Sequence, residues 1–379
     1  HANSPRGSTA DLSLKIPELS FQFEGQPFAI TADLTDFNDL RYSTTANGPL
    51  DLTRIYQVFA IKNYSVSGQL KADLLSVLRT PCGSSPPTVY FAVPMHKSVF
   101  SVDVEEWFHI LDVPSTPALA EWGALESRVE KSFRSMLEVF AEKQVRTTLF
   151  FLGWVAERHP QLVKEAAAQG HEIASHGYAH QLVYQNDRRH FTEDVRRAKG
   201  VIEDASGKAV FGYRAPGFSV TKETPWFFEA LAETGHAYDS SIWPGNRNHG
   251  GWPGALAVPH VVPTAKGDIV EFPISLVRTL GRDMFFFGGG YLRFFPYPLI
   301  RSKALEVLAE QRSVVFYLHP REVDPGHPRL PMSLKRRFMS YVNIDTTEPK
   351  MRRLFDDLPM TTFADLLKAG VSHLPKQVA

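Results

Sequence analysis

Between residues 14 and 77 apolar and polar side chains alternate over short runs, as in LKIPELSFQFEGQPFAITADLTDF and VSGQLKADLLSV. A period of two puts one face of each run in a core and the other in solvent, which predicts half-buried strands of an antiparallel sheet. From Ser98 the pattern changes. Apolar strand-like runs, SVFSVDV, RTTLFFLG, EIASHG and SVVFYLHP, alternate with segments of helical spacing, Leu125 to Lys143, Phe191 to Ala205 and Leu299 to Glu310. That alternation predicts an α/β region. Between the two lies RTPCGSSPPTVYFAVPMHKS, whose prolines, glycine and serines read as a linker. The expected division is a β-rich segment over 1–78, a linker over 79–97 and the α/β region over 98–379, with no internal repeat.

A chain of 379 residues, 43% hydrophobic and 12% aromatic, can bury a sizeable core. Its 41 basic and 41 acidic side chains cancel, so nothing global points to nucleic acid or to an anionic membrane surface, and a neutral partner is expected. Cys82 is the single cysteine; it can form neither an internal disulfide nor a cysteine-based zinc site, and reads as a bystander. No apolar run is long enough to span a bilayer. The opening HANSPRGSTADLS lacks both a signal-peptide core and an initiator Met, and reads as a processed, trimmed or mis-assigned start.

Four predicted strand ends carry ionisable groups. FSVDVEEWF ends in Asp103, Glu105 and Glu106; strand alternation turns Asp103 and Glu105 to one side. After HEIA comes SHGYAH, with His176 and His180 four apart, entering a turn or a first helical turn; if the turn is helical, both imidazoles lie on one face, within reach of one metal. Each segment alone also reads as solvated acids or loop histidines. Together they make a His, His, carboxylate set, the ligand count of a catalytic metal with open positions. YRAPGFS places Arg214 after the strand VFGY, and FYLHP places His319 after a very apolar run. In a parallel α/β barrel all strands end on the face where active sites are built.

These motifs together resemble the NodB-like polysaccharide deacetylases, of the carbohydrate esterase family 4 type, and within them the branch associated with exopolysaccharide and exosortase loci. The resemblance runs from about Val99 to about Leu367. It implies a distorted (β/α)7 barrel, with a C-terminal extension from about residue 320 that includes HPRLPMSLKRRFMSYVNI. It matches Asp103 to the catalytic base and Glu105, His176 and His180 to the metal ligands. Arg214 with Pro216 matches the third motif, Asp239 and Trp243 in YDSSIWP the fourth, and Leu318 with His319 the fifth. The pattern departs in having Glu105 for the usual Asp, Gly177 after the first histidine, Gly217 and Phe218 where many members have an aromatic and then Gly, and Ile242 where the fourth motif carries a second Asp; the last leaves the tuning of His319 open.

The resemblance further implies one divalent cation, zinc first and cobalt or nickel as alternatives, and hydrolysis of the N-acetyl groups of an N-acetylhexosamine polysaccharide. Asp103 would deprotonate water, Arg214 would hold Asp103 ionised, His319 would protonate the leaving amine, and a backbone N–H near Gly217 would help bind the oxyanion. Trp107, Phe108, Phe218, Trp243 and Trp252 read equally as sugar-stacking faces or as loop anchors, and FFFGGGYLRFFPY as a groove wall or a tightly packed loop. Two alternatives share such a barrel: a carbon–nitrogen hydrolase of small amides or cyclic imides, and a catalytically inactive carbohydrate-binding module. Residues 1 to about 75 resemble a piece of an AsmA-like envelope protein, and Met95 stands where a deacetylase could begin, so a fusion or gene-assignment error is expected. The cytoplasm is the expected compartment of the deacetylase region, and the periplasm if the first segment is genuine.

Overall fold

The computed structural model describes residues 97–247, 250–279, 281–370 and 374–377, together with strand backbones over 2–3, 13–23, 26–35 and 41–47. The chain forms two compact units, His1–Val93 and Pro94–Ala379. In the first, β1 (Ala2–Asn3), β2 (Ser13–Phe23), β3 (Gln26–Thr35) and β4 (Arg41–Asn47) pair antiparallel in that order. The β2–β3 register shifts between Ile16 and Leu19. Pro17 lies in that interval and has no N–H to give the ladder, which accounts for the irregularity. VSGQLKADLLSV, Cys82 and Met95 lie outside the described residues.

The second unit opens with β5 (Ser98–Val104), α1 (Val129–Glu142), β6 (Thr148–Phe151), α2 (Gly153–Arg158), α3 (Pro160–Ala168) and β7 (Glu172–Ser175). Then come α4 (Arg188–Ser206), β8 (Gly212–Tyr213), α5 (Phe227–Glu233), β9 (Tyr238–Asp239), β10 (His260–Val262) and β11 (Ile269–Glu271). A hairpin of β12 (Val277–Thr279) and β13 (Arg282–Met284) leads to α6 (Gly289–Phe294), α7 (Tyr297–Ala309) and β14 (Val315–Leu318). The chain closes with α8 (Leu334–Tyr341), α9 (Thr347–Asp357), β15 (Met360–Thr361) and α10 (Phe363–Lys368).

The main sheet runs β10-β11-β9-β8-β7-β6-β5-β14, with β15 added to the start of β5. Its strands are parallel except β10, which pairs antiparallel with β11. The result is an α/β fold with a curled, half-open mixed sheet, resembling a distorted NodB-type barrel. The helix expected between successive strands is missing between β9 and β11 among the described residues. GNRNHGGWPGALAVPHVVP fills that gap, and its glycines and prolines cannot sustain a helical period.

Alternation along β5 separates structure from chemistry. Phe100, Val102 and Val104 join the core under the helices, with Phe133, Met136 and Phe140 of α1. Ser101 and Asp103 take the other face, where both reach Arg214. Helix α1 begins at Val129 rather than near Leu125 because a carboxylate from β5's end caps it. Glu106 is fully buried, and its Oε2 accepts the N–H groups of Arg128 at 3.0 Å and Val129 at 3.3 Å. The third acid of FSVDVEEWF is therefore a helix cap placed on the positive end of α1.

Candidate metal centre

Glu105 leaves the C-terminal end of β5, and His176 and His180 leave that of β7. All three are buried, with one potential ligand atom from each lying within 4.8 Å of the others. Of the turn or first helical turn into which SHGYAH could lead, the structure has the turn. The segment is a loop with φ of +73° at Gly177 and +52° at His180. Asp194 of α4 holds it from behind, accepting from the N–H of Tyr178 at 2.7 Å and of Ala179 at 3.0 Å. A Cβ on Gly177 would lie 3.0 Å from Asp194 Oδ2, so this position needs glycine both for its φ and for space.

The donor set fits a cation. His176 Nδ1 lies 2.8 Å from the carbonyl of Arg214, so it carries the proton and leaves Nε2 with a free lone pair. Burial first, then His180, lowers the pKa of His176 to about 3, which keeps it neutral. Glu105 Oε2 stands 2.6 Å from His180 Nε2 and 4.0 Å from His176 Nε2. The shorter approach lacks hydrogen-bond geometry, and Oε2 is a buried atom with no hydrogen-bond partner among the described residues. A close carboxylate and imidazole, each aimed at a shared point rather than at each other, is what a common cation would relieve. His109 stacks on His180 with ring centroids 5.3 Å apart, and burial holds it neutral.

Beside this set Asp103 Oδ1 accepts from Arg214 Nη1 at 2.8 Å. Burial raises the Asp103 pKa, against the lowering by the charge and hydrogen bond of Arg214. Arg214 is wholly buried over the ring of Phe150, and every guanidinium nitrogen is used: Nη1 also donates to Ser101 Oγ at 2.8 Å, Nε to Ser240 O at 3.1 Å and Nη2 to Ser240 Oγ at 3.1 Å. His319, just after β14, brings Nε2 to 3.9 Å from Asp103 Oδ2 and 3.7 Å from Glu105 Oε1. Burial, reinforced by the charge of Arg321, pushes its pKa well down.

The sequence reading missed Glu322. Its Oε2 lies 3.0 Å from His319 Nδ1 and also accepts the His319 N–H at 3.0 Å. Its other oxygen pairs with Arg293 of α6. The H-x-x-E spacing was its only signal. Glu322 occupies the orienting position that Ile242 left without an acid. The glycines of FFFGGGYLRFFPY make room for it: a Cβ on Gly289 would collide with the Glu322 carboxylate, and one on Gly288 with the ring of Tyr317.

The remaining expected residues support the site from behind. Asp239 is fully buried and accepts from Ser241 Oγ at 2.6 Å; that hydroxyl in turn accepts the Ala215 N–H at 2.7 Å, fixing the loop after Arg214. Burial raises the pKa of Asp239 and, further, of its neighbour Glu271, so the two are arranged to share a proton. Leu318 is core, and Gly217 has φ +64° in the short turn Pro216–Phe218. Trp243 stacks on Phe285 at 3.7 Å. With Trp107, Phe108, Phe218 and Trp252 it is buried, so the loop-anchor reading of these aromatics holds over the sugar-stacking one.

Residues 125–238 match the family model described as polysaccharide deacetylase. That segment is similar to the polysaccharide deacetylase family. It carries His176, His180, Arg214 and Gly217 of the site. Residues 240–368 match a second model, described as a domain of unknown function, DUF3473, which includes His319 and Glu322. Among curated relatives, a peptidoglycan-N-acetylglucosamine deacetylase of Bacillus cereus is 28% identical over 139 residues, covering 36% of this chain and 62% of its own. A chitooligosaccharide deacetylase of Sinorhizobium fredii is 38% identical over 82 residues, 21% of this chain and 38% of its own. The chain thus spans less than two thirds of the length of either relative. A Mycobacterium smegmatis crystal structure assigned to the polysaccharide deacetylases shares the fold, with TM-score 0.50 and 19% identity over 73% of this chain and 91% of its own. Among the described residues no helix is long and apolar enough to cross a membrane.

Proposed function

We propose that this chain is a metal-dependent deacetylase that removes N-acetyl groups from N-acetylhexosamine units of a polysaccharide, in bacterial exopolysaccharide biosynthesis. The observation that carries the reading is the meeting of Glu105, His176 and His180 within 4.8 Å, beside an Asp103 already paired with buried Arg214. The names of the curated relatives support the substrate class. A cation held by Glu105, His176 and His180, zinc with cobalt or nickel as alternatives, supplies Lewis-acid polarisation of the acetyl carbonyl and acidifies the attacking water. Asp103, oriented by Arg214 and with its basicity raised by burial, takes one proton from that water as the C–O bond forms. His319 Nε2 lies 3.9 Å from Asp103 Oδ2; it takes over the proton that Asp103 removes from the water and delivers it to the sugar nitrogen as the C–N bond breaks, with Glu322 on Nδ1 stabilising the transient imidazolium. A backbone N–H near Gly217 helps bind the oxyanion. Acetate and a free amine leave.

The same reading makes residues 98–379 one distorted seven-unit barrel, cytoplasmic, of the exosortase-associated branch, and 1–78 an AsmA-like segment fused through 79–97. Acetate release from N-acetylglucosamine oligomers tests the activity. It should vanish on chelation, return with zinc, and stay absent in His176→Ala; release that survives chelation would refute the reading.

A further inference from the structure

Around the metal centre three arginines keep cationic nitrogens buried and without hydrogen-bond partners among the described residues. They are Arg321 Nε and Nη1, Arg247 Nη1 and Arg336 Nε. Each side chain is half-buried as a whole, while these particular atoms are shut away from bulk solvent. We propose that they bind an anionic group, a carboxylate or a phosphate, carried by the substrate next to the N-acetylated sugar. The inference rests on the deacetylase reading for the identity of the substrate, but not for the presence of the anion site.

Arg321 and Arg247 each lie beside residues of the site, and the field of Arg336 reaches both. Arg321 lies two residues beyond His319, in the short turn Pro320–Val323, and the fields of both Glu105 and Arg336 reach it. Arg247 lies over the ring of Trp243 at 4.5 Å and near that of Phe218 at 5.4 Å, next to the Gly217 turn. Phe218 in turn contacts Tyr317, with ring centroids 4.8 Å apart, and Tyr317 contacts His319 at 6.3 Å. Burial first, and the charge of Arg336 in addition, depress the pKa of Arg247 and of Arg321. Asp112 and the hydroxyls of Tyr291, Tyr317 and Tyr341 are the other ionisable groups whose fields reach this pair, besides Glu105. A cavity of about 590 Å³ between the Asp112–Ser115 loop and the start of α8 has Arg336 in its wall, with Arg336 Nη2 anchored on Leu111 O at 2.6 Å.

Folding gains nothing from Arg247 and Arg321 each held within the repulsive field of Arg336 with buried unpaired donors; an unpaired buried charge is costly. The arrangement makes sense as a site prepared for an anion, since the planar guanidinium fork matches carboxylate and phosphate oxygens. A neutral sugar chain would leave these donors unsatisfied.

Equilibrium binding to the full chain separates the cases. The probes are a hyaluronan tetrasaccharide, which alternates glucuronate with N-acetylglucosamine, N-acetylglucosamine 6-phosphate, and their neutral counterparts chitotetraose and N-acetylglucosamine. At least one charged probe should bind about tenfold or more tighter than its neutral counterpart, and which one does so tells carboxylate from phosphate. Arg321→Gln and Arg247→Gln should each remove most of that preference, and Arg321→Lys should keep part of it, with melting temperatures reporting that the variants fold. Equal binding of charged and neutral probes, or a preference unmoved in both glutamine variants, would overturn the anion site. Binding needs no turnover, so a charged preference without acetate release would refute the deacetylase reading alone. Acetate release from chitooligosaccharides without a charged preference would refute the anion site alone.

Discussion

Arg214 and Arg321 both stand beside the metal centre, the first on Asp103 and the second within the field of Glu105, and they are solved in opposite ways. Arg214 is wholly buried with all three guanidinium nitrogens on Ser101, Asp103 and Ser240. Arg321 has two of its three nitrogens buried without a hydrogen-bond partner among the described residues. The first arginine is a fixed part of the machinery, its charge matched within the fold before any ligand arrives. The second is charge held in reserve. The difference separates what the fold orients by itself from what substrate must complete.

Stability should report that difference most strongly. Arg214→Met leaves Asp103 buried without its counter-charge and should cost ~3–5 kcal/mol in urea unfolding. Arg321→Met removes an unmatched charge and should leave stability equal or higher; a comparable loss in both variants would erase the comparison. Glu322→Gln keeps the shape of the His319 partner but removes the charge that stabilises its protonated form. It should lower kcat for acetate release by an amount equivalent to ~1.5–3 kcal/mol with little change in KM, the worth of a hydrogen bond to a charged group. Gly177→Ala should cost ~1–2 kcal/mol from its left-handed backbone, read in the same unfolding experiment. No loss there would mean that the loop carrying both histidines is less fixed than its bonds to Asp194 imply.

The chemistry was legible where it follows strand ends. Asp103, Glu105, His176, His180, Arg214 and His319 could all be placed from apolar runs that stop at an ionisable residue, and the fold brings them together. Of the two ways open for the histidine pair, a turn or a first helical turn, the fold takes the turn: a loop with positive φ at Gly177 and His180, pinned by Asp194, presents them. Glu106 looked like one more acid at a strand end, but its partners, Arg128 and Val129, are distant in sequence, so its capping role needed the fold. Glu322 was hidden because an acid after a proline reads as surface. The three arginines were hidden for a different reason. A net charge of zero over 379 residues says nothing about where cations gather, and positions 247, 321 and 336 share no spacing. The alternation of helix and strand predicted the α/β class, while the missing helix between β9 and β11 came from a run of glycines and prolines.

The central claim is that Asp103 is the base and Glu105, His176 and His180 are the ligands. Acetate release by the zinc-loaded Asp103→Asn variant tests it most directly. The account predicts a variant that still takes up the metal but turns over ~10²–10⁴-fold more slowly. Undiminished turnover, or loss of the metal itself, would contradict it.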